Sequence, residues 1–282
     1  GAPELPSTQS TPSVPAATSI QIIAPTLPAR RPWDFPHPGR SRPVNGWSLA
    51  HAPGHRGGRY SGGACNPPPM AASDPLTSAR TDLAVAFRWA ARLGMHESIA
   101  NHFSLAVSDD GRRFLLNPVG SHFARIRASE LLLLDAGDPA TLQGPDAPDP
   151  TAWHLHAELH QRLPQARCIL HTHMPHATAL CCLQDFEFLM LDQNACRFHG
   201  RIAYDRAYAG MALDTTEGQR VAQLLGPGKS VLFMGNHGVI VVAPSVAQAF
   251  DELYYLEKAA QLQLLALVQI GIGATQTIGH EG

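Results

Sequence analysis

Two histidines stand one residue apart at the end of an apolar run, in the stretch CILHTH at residues 168–173. Successive side chains of a β-strand point to opposite faces of the sheet, so positions i and i+2 share a face. His171 and His173 would therefore project together from the end of a strand. Two imidazoles in that arrangement can chelate one divalent metal ion at about 2.0–2.1 Å each. A strand that merely ends in polar residues is the plainer interpretation of the same pattern.

A third histidine occurs in a glycine-rich bend further along the chain, in the stretch MGNHGVIVV. His237 lies there between two apolar runs that are typical of strands, and Gly235 and Gly238 allow a tight backbone around it. Three neutral histidines leave positions open on a metal ion for water or substrate, which is the pattern of a catalytic site. We therefore predict a metal centre built from His171, His173 and His237.

Two other motifs resemble known sites but do not meet their requirements. HAELH, at residues 156–160, differs from the zinc-protease helix because Glu158 lies two residues after the first histidine and not directly after it. GPGKS, at residues 226–230, lacks the first glycine of a phosphate-binding loop, since that position is Gln223. We leave both motifs out of the candidate site.

Composition favours a soluble globular protein over a nucleic-acid-binding or membrane protein. The chain has 282 residues, of which 44% are hydrophobic, and this length suffices for a sizeable buried core. A formal net charge of −2 gives no electrostatic basis for binding nucleic acid or an anionic membrane. No apolar run reaches the roughly 18 residues that span a bilayer, and no charged start followed by an apolar core indicates a secretory signal.

The cysteine and histidine contents bear on compartment and cofactor. Five cysteines, two of them adjacent and none in a CxxC pair, favour reduced thiols in the cytoplasm over a disulfide framework. Fifteen histidines against 21 lysines and arginines is an unusual ratio, and histidine is the commonest metal ligand. We expect a cytoplasmic protein that carries a divalent metal ion.

The chain divides into three parts by composition. Residues 1–72 are rich in proline, glycine and serine and show no sustained period, so they cannot bury enough apolar surface to offset the entropy of ordering them. We predict a disordered extension there, a folded domain over residues 73–272 and a flexible tail over residues 273–282.

Within the predicted domain, hydrophobic spacing indicates interleaved helices and strands and therefore an α/β fold with a mixed sheet covered by helices. FSLAVS and RRFLLNP predict one hairpin, and KSVLFMGNHGVIVVAP predicts another. ARCILHTH predicts a single strand, and SELLLLD predicts a short strand or a turn-bounded run. AWHLHAELHQRLP, PHATALCCL and TEGQRVAQLLG predict helices, and Ser245 with Gln248 predicts a capping box at the start of a last long helix. The first helix is expected to bury an apolar face made of Leu83, Val85, Ala86, Trp89, Ala90 and Leu93.

These segments, in this order, resemble the class II aldolase/adducin family over about residues 75–268. The resemblance rests on HLHAELHQRLPQARCILHTHMPHATAL, AYDRAYAG and VLFMGNHGVIVVAPSVAQAFDELYYLEKAAQ, with ANHFSLAV and RRFLLNPVGSHFARIRASELLLLD matching the N-terminal part of the family. It implies a three-layer α/β/α sandwich with a mixed, largely antiparallel central sheet. It further implies a homotetramer with active sites at subunit interfaces, and zinc or another divalent ion on His171, His173 and His237.

The chain departs from the family's sugar-phosphate aldolases at two kinds of position. Those enzymes carry a glutamate, which serves as a base, a few residues into the helix before the paired histidines. The corresponding stretch here is DPTAWHLH, and Ala152 takes the glutamate's place, although a methyl group cannot move a proton. The loops that bind phosphate in those enzymes correspond to ANHFS, NPVG and Pro150-Thr151, with no added lysine or arginine. We therefore expect a substrate without a phosphate group.

Three residues are candidates for the proton transfers that the missing glutamate would perform. His156 lies near the lost glutamate, on a helix face that could point to the site, although a buried structural histidine is the plainer interpretation. Tyr204, in IAYDRAY, corresponds to a tyrosine with which family lyases protonate the departing fragment. Asp192, in LDQN, follows the paired histidines and could approach the metal.

Three further residues have weaker claims. His102 and His122 occupy the loops where phosphate would have bound, and they could shape a pocket for a carboxylate or a ring. Glu257 falls on the apolar side of the last helix, where a buried structural pair is the expected role.

The functional hypothesis is a divalent-metal-dependent lyase that cleaves a C–C bond of a non-phosphorylated hydroxy- or keto-acid by way of an enediolate. In such family enzymes the metal stabilises negative charge that develops on the substrate oxygens. One alternative is a non-haem Fe(II) oxygenase of aromatic 2-keto or 2-hydroxy acids, because three histidines suit ferrous iron as well as zinc. A second alternative is a non-enzymatic, adducin-like interaction domain, which the missing base favours and the three retained ligands do not.

Overall fold

The computed structural model describes residues 74–143, 147–206 and 214–269. The predicted extension over residues 1–72 and the predicted tail over residues 273–282 lie outside the described residues. None of the described helices is long and apolar enough to cross a membrane.

The described helices and strands are interleaved along the chain, with three strands in succession after the first helix and two before the last helix. The predicted hairpins, single strands and helices are all present, and one further strand, β5, was not predicted. The elements are α1 (Pro75–Arg92), β1 (His102–Ala106), β2 (Arg113–Leu116), β3 (Leu132–Asp135), α2 (Pro150–Arg162), β4 (Cys168–Thr172), α3 (Pro175–Cys181), β5 (Ile202–Asp205), α4 (Thr215–Leu225), β6 (Val231–Met234), β7 (Gly238–Ala243) and α5 (Val246–Gln269).

The strands form one sheet in the order β3-β2-β1-β4-β7-β6-β5. Neighbouring strands run antiparallel, except that β5 and β6 are parallel. The central strand β4 pairs with β1 on one side and β7 on the other, and all five of its residues are buried. The prediction of a mixed, largely antiparallel sheet is confirmed.

Alternate residues of each strand pack against two different helix layers. Leu170 of β4 belongs to a hydrophobic cluster that it shares with residues of α1, α3 and α5. Its neighbour Ile169 belongs to another cluster, shared with residues of α2 and α4. Because side chains alternate across a strand, His171 points to the same side as Ile169. The chain is therefore a three-layer α/β/α sandwich, and the paired histidines face the layer of α2 and α4.

The buried face of α1 differs from the predicted one. Leu83, Ala86, Phe87 and Ala90 are buried, at the i, i+3, i+4 and i+7 positions of a helical stripe. The remaining predicted members lie outside this stripe and are about half exposed, and the last of them, Leu93, is the C-cap residue that follows the helix. They are Val85 (48% exposed), Trp89 (47%) and Leu93 (42%).

The start of α5 carries half of the predicted capping box. Ser245 Oγ accepts a hydrogen bond from the backbone N–H of Gln248 at 3.2 Å. The Gln248 side chain does not bond back to the cap; its amide donates instead to Glu252 at 3.1 Å. One N–H at this helix end is thus satisfied by the serine.

Candidate metal centre

The paired histidines lie at the end of the central strand. His171 is the fourth residue of β4, in register with His102 of β1 and Ile240 of β7, and His173 follows the strand directly. The two rings are 5.1 Å apart between centroids, and their Nε2 atoms are 3.2 Å apart. The prediction that both side chains project together is confirmed.

The turn between β6 and β7 brings in the third histidine. Asn236 adopts a left-handed backbone conformation with φ of +54°, which asparagine tolerates better than most residues. Its neighbour His237 then lies 4.8 Å from His171 and 4.9 Å from His173 between ring centroids. One nitrogen from each of the three rings falls within 4.8 Å of the other two, a spacing that one metal ion can bridge.

The glycine after His237 is required by the approach of the paired-histidine strand. A Cβ atom at Gly238 would stand 2.7 Å from His173 Cδ2 and 2.7 Å from the Thr172 carbonyl oxygen. Both distances are far shorter than a van der Waals contact. Only a glycine at this position lets the turn and the end of β4 come together.

The second nitrogens of the paired rings are engaged by protein acceptors. His171 Nδ1–H donates to the Val239 carbonyl at 3.1 Å, and His173 Nδ1–H donates to a carboxylate oxygen of Glu97 at 2.6 Å. Each ring therefore keeps its lone pair on Nε2, and these are the two atoms that lie 3.2 Å apart. Metal-ligating histidines commonly donate their other N–H to a carboxylate or carbonyl in this way. The donor set and its orientation fit a divalent cation.

Burial keeps the rings of His171 and His237 neutral, as metal binding requires. Burial, together with the neighbouring imidazoles, holds the pKa of His171 well below its ordinary 6.5. Burial and then the proximity of His173 lower the pKa of His237 to about 4. Both residues therefore offer lone pairs at neutral pH without first losing a proton.

A cavity of about 150 Å³ opens beside His171 and His237. Ala152, which stands where the family aldolases have their glutamate, lines this cavity, and so does His102. Its described walls include no lysine or arginine, and the acidic residues Asp149 and Glu217 lie on it.

A protein-family model matches most of the described residues. The sequence model described as the Class II Aldolase and Adducin N-terminal domain matches residues 81–264. The chain belongs to the class II aldolase/adducin family.

Relatives of this chain carry names that refer to different activities. A Pseudomonas aeruginosa protein named as a class 2 aldolase is 32% identical over 187 residues, which are 66% of this chain and 71% of that protein. The solved structure of an aldolase II superfamily protein from Pseudomonas syringae is 31% identical, with a TM-score of 0.65, covering 74% of this chain and 83% of that one. The 4-hydroxy-3-prenylphenylpyruvate oxygenase/4-hydroxy-3-prenylbenzoate synthase of Streptomyces roseochromogenus is 28% identical over 184 residues, which are 65% of this chain and 66% of that protein.

The candidate base His156 lies behind the cavity and does not line it. The side chain is fully buried on α2, and its Nε2 is 2.7 Å from Nδ1 of His102. His102, in turn, packs against His171 with ring centroids 4.6 Å apart. Any effect of His156 on a substrate would therefore pass through His102.

The other two candidate catalytic residues lie away from the three histidines of the same chain. Tyr204 packs with the α1, α3 and α5 layer, on the opposite face of the sheet, and its hydroxyl accepts a hydrogen bond from the Phe188 N–H at 3.0 Å. Asp192 accepts a hydrogen bond from the Ala195 N–H at 2.9 Å in the loop after α3. Neither residue lines the cavity.

The weaker candidates fall into two groups. Glu257 is a buried structural residue, as expected, because its carboxylate accepts the backbone N–H groups of His176 and Ala177 at 3.0 Å each at the start of α3. His122 lies beside His96, with Nε2 atoms 3.4 Å apart, and does not reach the cavity that His102 lines.

Several site residues have no signal in the sequence pattern. Glu97 lies in an irregular loop, and it is held there because its N–H donates to the Asn101 side chain at 2.6 Å. Ser104 and His160 lie behind His156, where they form hydrogen bonds to one another at 2.7 Å. Only the alternation of β1, which places Ser104 on the same side as His102, could have drawn attention to this group.

Proposed function

We propose that this chain is a divalent-metal-dependent lyase that acts on a non-phosphorylated hydroxy- or keto-acid. The observation that carries the proposal is the set of three converging imidazoles, two of which have their second nitrogen engaged by a protein acceptor. A zinc or ferrous ion at these rings would supply Lewis-acid stabilisation of negative charge developing on hydroxyl and carbonyl oxygens.

The walls of the cavity support a substrate without phosphate. A helix N-terminus commonly binds anions through its free N–H groups. At the start of α2, Asp149 Oδ1 already accepts the N–H groups of Thr151 at 2.8 Å and Ala152 at 3.1 Å. Although burial opposes ionisation, these hydrogen bonds and that of the Thr151 hydroxyl lower the pKa of Asp149, so a phosphate group bound at this helix start would meet a negative charge.

The proton-transfer residues of this proposal are those that the chain offers in place of the glutamate. His156 acts through the imidazole of His102, which lines the cavity. Tyr204 and Asp192 would reach a cavity only if another copy of the chain contributed them. This accords with a homotetramer that has its active sites at subunit interfaces, which we propose as the working assembly.

Elemental analysis of the purified protein, followed by an assay of C–C cleavage, tests the proposal. We expect about one zinc or iron per chain, and release of pyruvate or an aldehyde from a hydroxy-keto acid under nitrogen. His171→Ala should abolish both the bound metal and the turnover, whereas His122→Ala, an imidazole outside the cavity, should retain both. Full metal content in His171→Ala would contradict the ligand assignment, and a metal-free, inactive wild type would favour the adducin-like interaction domain.

A non-haem Fe(II) oxygenase of aromatic 2-keto or 2-hydroxy acids is the second candidate function. It is favoured by the relative from Streptomyces roseochromogenus, which is named as an oxygenase of a phenylpyruvate. Oxygen uptake by the iron-loaded protein with 4-hydroxyphenylpyruvate would support this function. Product release that continues unchanged under nitrogen would support the lyase.

A further inference from the structure

A continuous chain of hydrogen bonds leads from the cavity into the layer of α2. His102 Nδ1 lies 2.7 Å from His156 Nε2, and His156 Nδ1 is in hydrogen-bond contact with Ser104 Oγ. Ser104 Oγ also lies 2.7 Å from His160 Nε2. His160 Nδ1 ends the chain at 2.6 Å from the carbonyl oxygen of Ala166.

The direction of every hydrogen bond in this chain is determined by its last member. A carbonyl oxygen can only accept, so His160 Nδ1 carries a proton, and a neutral His160 then has a lone pair on Nε2. The Ser104 hydroxyl must give its single proton to that lone pair, so its oxygen accepts from His156 Nδ1–H. His156 Nε2 is then an acceptor, and the proton between it and His102 belongs to His102 Nδ1.

The buried surroundings of these hydrogen-bonded side chains keep their imidazoles neutral. His156 is fully buried and His160 is 5% exposed. Burial, followed by the neighbouring imidazoles, holds the pKa of His156 well below its ordinary value. Burial lowers the pKa of His160 to about 4, although the hydrogen bond to Ala166 opposes that shift.

We infer that this series of hydrogen bonds presents His102 to the cavity with an unprotonated Nε2, as the acceptor for a hydroxyl of the substrate. This inference rests on the proposed function for its substrate. His102 would be the group that touches the substrate, and His156, Ser104 and His160 would be positioning residues that act through it. The acceptor would stand on the wall of the cavity that Ala152 also lines.

A purely structural role for the chain explains less. A buried network of three imidazoles and a hydroxyl contributes little net stability compared with apolar side chains of the same volume, because each group must be desolvated. The network also ends at a residue that lines the cavity, with its ring 4.6 Å from that of the candidate ligand His171.

Nitrogen-15 NMR of the histidine rings tests the tautomer directly. The full-length chain is labelled at its histidine nitrogens and studied with zinc, which is diamagnetic, and His102 is assigned from the spectrum of His102→Gln. We expect His102 to carry its proton on Nδ1 and none on Nε2 in the wild type. In Ser104→Ala the donor and acceptor roles of the hydrogen-bonded histidines are no longer imposed, so a population of His102 with Nε2–H should appear. A protonated Nε2 in the wild type, or a tautomer that Ser104→Ala leaves unchanged, would overturn the inference.

Two further serine variants separate positioning from general destabilisation. Ser104→Thr restores a hydroxyl and should return His102 to the Nδ1–H form. Ser230→Ala removes another buried serine hydroxyl, which is not part of this hydrogen-bond series, and should leave the His102 signals unchanged. Failure of the threonine to restore the tautomer, in a variant whose circular dichroism shows it folded, would also count against the inference.

Zinc content and kinetics distinguish failure of this inference from failure of the proposed function. His102→Gln should keep its zinc and lose on the order of 10²-fold in kcat on the hydroxy-keto acid, the contribution typical of a positioned proton acceptor. Loss of zinc in His102→Gln would make His102 a ligand and would overturn the inference. If the wild type neither binds zinc nor turns over, the proposed function fails and so does the assigned substrate role, even where the NMR shows the expected tautomer.

Discussion

At the scale of single residues, the candidate centre depends on partners that are not themselves ligands. The hydrogen bond from His173 Nδ1 to the Glu97 carboxylate fixes the ring and makes its other nitrogen a better electron donor. Glu97 is largely exposed, with 64% of its side chain accessible, so its removal leaves no buried charge without a partner. Its contribution can therefore be measured as an effect on the metal, with little effect on the fold.

Changing Glu97 should weaken metal binding in two steps. Glu97→Gln keeps a hydrogen-bond acceptor but loses the charge, and we expect the affinity to fall by about 10-fold. Glu97→Ala loses both, and we expect a fall nearer 100-fold. Competition with a chromophoric chelator measures both values. Glu130→Gln, another exposed carboxylate, is the matched control, and an equal loss there would refute the specific role of Glu97.

The sequence could predict the candidate ligands but not the residues that orient them. His171 lies on β4, His173 directly follows that strand, and His237 stands in a glycine-rich bend, so the local sequence pattern sufficed to suggest all three. Glu97 is 76 residues from His173 in an irregular loop, and no periodicity relates two such positions. His156 was correctly placed on a helix next to the sheet, but helical spacing does not tell which neighbour lies between it and the cavity.

At the scale of elements, the site depends on how closely the β6–β7 turn approaches the end of β4. Gly235 donates its N–H to the Asp205 carbonyl at 2.6 Å, and Asn236 donates to the Cys181 carbonyl at 2.9 Å. These bonds tie the turn to β5 and to α3, so the turn cannot easily retreat from a new contact. A side chain added to the turn at Gly238 must therefore displace His173.

Gly238→Ala should lose the metal and also destabilise the fold. The added methyl group would stand 2.7 Å from both His173 Cδ2 and the Thr172 carbonyl, and such overpacking typically costs about 1–3 kcal/mol. Elemental analysis and urea denaturation measure the two effects. Gly226→Ala is the control, because φ of +57° with ψ of −176° is a backbone conformation that alanine adopts only at a cost of about 1–3 kcal/mol, while the site stays intact.

Helices and strands with a clear hydrophobic pattern were predictable, and the errors fall where that pattern is weak or ambiguous. Strand β5 reads IAYD and lacks the run of three large apolar residues that the other four-residue strands, β2, β3 and β6, contain. It joins the sheet through a parallel pairing with β6. On α1 the apolar residues are spread around most of the helix, so the sequence contained two plausible stripes. Tertiary packing selected the stripe with Phe87, which stacks on Phe103 of β1 with centroids 4.8 Å apart.

At the scale of the whole molecule, the buried histidines connect stability to pH. Burial lowers the pKa of His160 to about 4, while an unfolded chain has an ordinary histidine pKa of about 6.5. Below that value the unfolded state binds a proton that the folded state does not, so the free energy of unfolding falls as pH falls. The loss should begin near pH 6.5 and continue towards pH 4.

His160→Gln should remove the part of this pH dependence of stability that comes from His160. Between about pH 6 and 5 the free energy of unfolding of the variant should depend less steeply on pH than that of the wild type. The two slopes should differ by roughly 1.4 kcal/mol per pH unit. Urea denaturation at each pH gives the two slopes. Leu163→Ala, a buried apolar truncation at the end of the same helix, is destabilised without losing a titrating group, so its slope should stay equal to that of the wild type.

The exposed face of α1 bears on the predicted assembly. Val85, Trp89 and Leu93 follow one another at intervals of four residues, so they form a single apolar stripe on the outside of the described chain. Contiguous exposed apolar surface of this kind usually marks an interface between proteins. A homotetramer would cover it with a second copy of the chain.

Trp89→Glu should therefore weaken the assembly. A charge in place of the indole, 47% exposed in the single chain, would have to be desolvated on association, so the tetramer should dissociate towards smaller species. Sedimentation velocity measures the mass. Leu224→Glu replaces another exposed apolar side chain, 39% exposed and on α4, and is the control for added surface charge. If the Trp89→Glu protein stays tetrameric, this stripe is not the interface. If the wild type is a monomer, Tyr204 and Asp192 cannot reach a cavity from a neighbouring copy, and the proton transfers must come from the cavity wall of the same chain.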